Sequence, residues 1–116
     1  LAKIAAANTA GIDFGEVQDM ARDTAEGDCL EWRLTTRSPL PHDGAQPFLI
    51  DWGESVHPAE AALPALELLD FRVESPEPEA ARQVLEVLGA GDTAVVEGPV
   101  CRLRARLRGP GGVLEF

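Results

Sequence analysis

The second half of this chain reads like its first, and that repetition limits the folds open to it more than any other feature. Leu1 to about Ala10 reads as a helix, with Leu1, Ile4 and Ala5 on one side and Gly11 as its stop. "FGEVQDM" (14–20), "DCLEWRLTT" (28–36) and "FLIDW" (48–52) follow as strands. Later the order returns. Ser75 can cap a helix that has Pro76 at its first position and Glu77 and Glu79 in its first turn. Ala81, Val84, Leu85 and Leu88 give it a buried stripe, and Gly89 ends it. "TAVVEG" (93–98), "CRLRARLRG" (101–109) and "VLEF" (113–116) are its three strands, with "GPGG" (109–112) as the last turn. "EWRLTT" aligns with "RARLRG", and "FLIDW" with "GVLEF". A period of roughly 50 to 60 residues is a fold-level signal.

The two copies differ at their start. The second opens with a strand, "LELLDFRVES" (66–75), and the first has none. The chain begins at Leu1, without Met and with no N-cap signal before its helix, so it reads as a fragment of a longer protein. The expected fold class is α+β: paired β-α-β-β-β modules, the first lacking its opening strand. One domain is expected over 1–116, with a partial first module (1–52), a linker with a helical turn (53–65) and a second module (66–116). "RSPLPHDGAQP" (37–47), with three prolines and a glycine, is a loop.

A formal charge of −10, from 20 acidic and 10 basic side chains, would repel DNA or RNA. No apolar run approaches the roughly 18 to 20 residues that span a bilayer. No secretory signal precedes the first helix, and a cytoplasmic location is expected. Arg102, Arg104, Arg106 and Arg108 share one face of their strand, read as a solvated face balancing nearby acids, with an anion-binding face as the other reading. Cys29 and Cys101 form no disulfide framework and lack zinc or redox spacing, so both read as buried free thiols.

Asp51 is the oddity. Phe48, Leu49, Ile50 and Trp52 read as a buried strand, and a carboxylate among them has to be paired, metal-bound, protonated or aimed at a cavity. In the repeat it falls opposite Glu115 of the other last strand. If the copies pack as a pseudo-symmetric pair, both acids can point into one concave surface. Asp51 could equally hydrogen-bond a backbone amide or pair across the sheet with Arg33. Trp32 and Trp52 read as core or cavity-wall aromatics. His57 lies before Pro58 with no evident partner to set its tautomer, and His42 sits in the proline-rich loop. No Ser-His-Asp spacing, phosphate loop or nucleotide fingerprint is present.

A paired module of this kind, with an acid in each final strand, resembles the vicinal oxygen chelate superfamily, and within it the glyoxalase-like branch. "LEWRLTT", "PFLIDWG" followed by "HPA", "FRVESPEPEA" and "RLRGPGGVLEF" carry the resemblance. It implies a mixed sheet curled around a cleft with helices outside. It also implies metal ligands on the first and last strand of each module. Glu115 matches a last-strand ligand, and Asp51 matches the other as a shorter acid. The first-strand His position falls near Leu68, which cannot ligate, so a divalent metal is possible but not favoured. Catalytic roles would fall to Asp51 and Glu115, and a ligand pocket to Trp32, Arg33, Trp52 and His57.

Three functions fit this reading. One is a lyase- or isomerase-type enzyme on a small oxygenated substrate, such as an α-keto or hydroxy compound. The second is a metal-free module of the same fold that sequesters a small molecule. The third is a structural half that forms a homodimer, or pairs with a missing N-terminal segment, to complete its sheet.

Overall fold

A computed structural model describes residues 2–60 and 64–116, so Leu1 and the middle of the predicted linker lie outside the described residues. The architecture is mixed α+β, with one sheet of three strands and one of four. The chain divides into two compact units. One comprises Leu1–Asp13, Ser38–Pro47 and Ala65–Phe116, the other Phe14–Arg37 and Phe48–Pro64. None of the described helices is long and apolar enough to cross a membrane.

The first unit holds both α-helices of the described residues. Helix α1 (Ala2–Thr9) ends where Gly11 enters the left-handed region at φ 74°. There the Gly11 and Ile12 amides close back on Asn8 O and Ala7 O. The unit's strands are β4 (Glu67–Ser75), β5 (Ala94–Glu97), β6 (Arg102–Gly109) and β7 (Gly112–Glu115), in the order β5-β4-β6-β7. Helix α2 (Pro78–Leu88) links β4 to its parallel neighbour β5, and the remaining pairings are antiparallel. Val73, Ala81, Leu85, Val95 and Ala45 form the buried cluster under α2, with Ala90 and Cys101 packed against it. The predicted stripe of α2 is therefore the one that packs, although Leu88 is only half-buried. Ala45 and Gln46 bring the proline-rich loop into the core, and Gln46 Nε2 donates to Asp13 O at 2.8 Å.

Helix α2 begins two residues later than the sequence predicts. Ser75 is still a rung of β4, opposite Glu97 and 1% exposed. Its hydroxyl accepts from the Glu77 amide at 3.1 Å, making the turn out of the strand rather than the helix cap. Pro78, not Pro76, takes the first-turn position that needs no amide hydrogen.

The second unit is an antiparallel sheet of β1 (Glu16–Asp23), β2 (Cys29–Thr36) and β3 (Ile50–Asp51), in that order. β1 runs three residues beyond the predicted strand, because the hairpin ladder continues to the Asp23–Cys29 rung. Gly15, at φ 80°, lets the chain pass close over Thr36, where any side chain would meet the Thr36 carbonyl. The buried strand expected at 48–52 is corrected. β3 has two ladder residues, and Phe48 and Ile50 are 58% and 41% exposed. β3 is the edge of its sheet, so its apolar side chains are not enclosed as a central strand's would be.

The last two strands of each unit share two matching rungs. Arg33 pairs with Asp51 and Leu34 with Ile50, while Arg106 pairs with Glu115 and Leu107 with Leu114. These are the positions that the sequence alignment superimposes. The rest of the two sheets differs. β2 pairs directly with β1, whereas β4 lies between β6 and β5.

Candidate functional site

The second unit carries an open groove of about 740 Å3, bordered by residues of β1, β2 and the segment 51–55. Asp19, Glu31, Trp32, Arg33, Asp51 and Trp52 are among its lining residues. Four of these were singled out from the sequence. The groove exists because β3 stops at Asp51 and the chain turns away at Gly53, φ 57°, leaving the end of β2 uncovered by a full strand.

Asp51 is met by donors on both oxygens. Oδ2 accepts from Arg33 at 2.5 Å, and Oδ1 accepts from the Gly53 amide at 3.0 Å. The Gly53 hydrogen bond, followed by that from Arg33, holds the carboxyl below the ordinary aspartate range. Asp51 thus stays ionised at neutral pH. Of the two structural roles the sequence left open for it, backbone partner and arginine partner, it fills both. Glu115 has the equivalent partner in its own unit, with Arg106 Nε at 2.9 Å. Arg108 pairs with Glu67 and Arg104 with Glu74, so three of the four arginines in this row face acids.

The aromatic residues form a second constellation. Trp32 and Trp52 lie 5.4 Å apart at 41°, and the His57 ring meets Trp52 edge-on at 5.5 Å. Such a pair contributes about 0.5–1.5 kcal/mol beyond its buried area. His57 Nδ1 accepts from the Ala59 amide at 3.0 Å, which commits that nitrogen to the turn Pro58–Glu60. Strand alternation sends Trp32 and Arg33 to opposite faces of β2. The ion pair and the indole pair therefore belong to two sides of the sheet, and residues of both border the groove. His57, expected in the pocket, is not among the residues that line the groove and meets Trp52 instead.

Ser55 was not legible as a site residue. Its hydroxyl donates to Glu31 O at 2.8 Å and accepts from Glu31 N at 3.0 Å. The Asp-Trp-Gly-Glu-Ser run signals a turn but does not show which strand the serine returns to. Cys29, expected to be buried, is instead exposed in the groove at the first rung of an edge-bordered strand, and Cys101 is only half-buried; Cys29 keeps its proton at neutral pH. Partial desolvation, then the charges of Asp23 and Glu31, push its thiol up. In the other unit burial, then Asp43, pushes the Cys101 thiol up.

The sequence profile of the glyoxalase-like domain family matches residues 2–89, most of the chain. The chain belongs to the glyoxalase-like domain family. The match spans α1, the whole second unit, β4 and α2, so Asp51, Arg33 and both tryptophans lie inside it and Glu115 lies beyond its end. No curated protein and no solved structure matches the chain.

A glyoxalase-like domain raises the question of a metal, and these residues do not fit one. Both oxygens of Asp51 are engaged, one by a guanidinium whose charge opposes a dication. Glu115 is engaged by Arg106, and Leu68 offers no donor. Among the described residues no three His, Cys, Asp or Glu side chains gather as a ligand set.

Proposed function

We propose that this glyoxalase-like domain is a metal-free module that binds a small oxygenated molecule, such as an α-keto or hydroxy compound, in the groove of its second unit. The observation that carries the proposal is the Arg33–Asp51 pair at the groove. A guanidinium stands against the acid that would otherwise be the ligand of a metal. Arg33 spends one donor direction on Asp51 and is 42% exposed, so its fork still presents N–H groups to a ligand oxygen. Trp52 and Trp32, on the other face of the sheet, supply apolar surface that also borders the groove. Lyase- or isomerase-type turnover is the less favoured reading. A general base works best with a pKa near the working pH, and the Asp51 carboxyl is moved the other way.

In this reading the chain is built from paired β-α-β-β-β modules, the first without its opening strand. The matching Arg–acid rungs support that reading. Completion of the sheet by a second copy belongs to the same proposal, since β1 pairs on one side only among the described residues.

Tryptophan fluorescence titration with dihydroxyacetone and pyruvate, after treatment with a chelator, tests the binding reading. A saturable change is expected for at least one, and Arg33→Ala should weaken it roughly tenfold, the loss of one charge-assisted hydrogen bond. Binding that requires an added divalent ion, or that survives Arg33→Ala, would overturn it.

A further inference from the structure

We propose that Ser55 is the positioning residue of the groove, a side-chain clasp that stands in for the strand residue β3 does not supply. This rests on the groove being the ligand site. β3 leaves its ladder after Asp51, so among the described residues the backbone of Glu31, two residues before Arg33 on β2, has no strand partner on that side. The Ser55 hydroxyl meets both of Glu31's polar groups, donating to the carbonyl at 2.8 Å and accepting from the amide at 3.0 Å. Its own amide closes the turn on Trp52 O at 3.0 Å. Asp51 fixes the other end of the same turn through the Gly53 amide. The five residues 51–55 are thereby fastened at both ends, and Trp52 lies between them. The clasp holds Trp52 against Trp32 and sets the wall of the groove. A hydroxyl does this where alanine cannot, because only a group that both donates and accepts serves the two Glu31 atoms. The contact is solvent-accessible and closes no core, so its loss alters the position of Trp52 far more than global stability.

Two readouts need no ligand: amide hydrogen exchange at Glu31, and the exciton couplet of the tryptophan pair in circular dichroism. In the unmodified protein the Glu31 amide should exchange roughly tenfold or more slowly than an open amide. Ser55→Ala should lose that protection and the couplet, while the melting temperature stays within a few degrees. Ser55→Thr, which keeps the hydroxyl, should retain both. An unprotected Glu31 amide in the unmodified protein overturns the clasp without recourse to any variant. So does a Ser55→Ala protein that keeps its couplet and its Glu31 protection. Titration of the same variants with dihydroxyacetone separates this from the proposed function. If the clasp signals behave as expected and no protein binds dihydroxyacetone or pyruvate, the binding reading fails and the clasp stands.

Discussion

A carboxylate keeps its charge where donors meet it, and at Asp51 the donors come from Gly53 and Arg33. Because those donors favour the ionised form, the folded pKa lies below the unfolded one. The unfolded chain therefore takes up the proton first as pH falls. The stabilising contribution of Asp51 is fully present above the ordinary aspartate value of about 3.9 and disappears as pH drops below it. Asp51→Asn should be less stable than the parent at pH 7, and the difference should shrink on acidification below that value. Urea melts at pH 7 and pH 3 measure it, and a gap that stays constant or widens at pH 3 would contradict the donor geometry. The sequence made Arg33 legible as a partner, because cross-strand pairing puts an acid and an arginine on one face. A backbone amide was open as the other partner of Asp51, but which amide it is, and the Ser55 contact, were not legible. They depend on where β3 stops, and β propensity runs straight through "FLIDW" to Trp52.

At the scale of elements, the pieces with the strongest local signals are the ones the structure keeps. Helix α2 carries a stripe at helical spacing and a glycine at φ 76°, and β2 and β6 alternate cleanly. Leu85 is where that stripe matters most: it is 7% exposed in the cluster with Val73, Ala81 and Val95. Leu85→Ala should cost about 2–4 kcal/mol, since the lost side chain leaves a cavity that α2 cannot collapse into. Chemical denaturation would show a lower midpoint at unchanged slope, and a cost under about 1 kcal/mol would mean that α2 is not seated on β4 and β5 as described. The signals that misled are short ones. Ser75 before Pro76 looks like a cap, but strand pairing with β5 claims it first. "FLIDW" looks buried by composition, but the edge position of β3 decides its exposure. In both places a tertiary partner outweighs a local preference, and a single sequence does not show which partner arrives.

Across the whole molecule, burial is shared unevenly between the two units. Ala7, Ala45, Val73, Ala81, Val84, Leu85 and Val95 are buried apolar residues of the first, while Phe14 is the buried apolar residue of the second among those described. The second unit instead rests on the eight-rung ladder between β1 and β2 and on the Trp32–Trp52 pair, and every residue of β1 is exposed. Apolar burial contributes roughly 25 cal/mol per Å2, so the first unit holds most of that stabilisation. A hairpin with one short added strand is marginal without a covered face. Two rungs of β2–β3 and of β6–β7 pair the residues that the sequence alignment places in register, yet similar sequence patterning does not make equal stability. Native-state hydrogen exchange should therefore show the slowest amides in β4 and β6, and faster exchange through smaller openings in β1 and β2. A ligand held in the groove should slow β1 and β2 selectively, because it binds the unit that opens most readily. Equal protection in the two sheets would show that they open as one cooperative body, and the groove would then lose the independent mobility that this distribution of burial gives it.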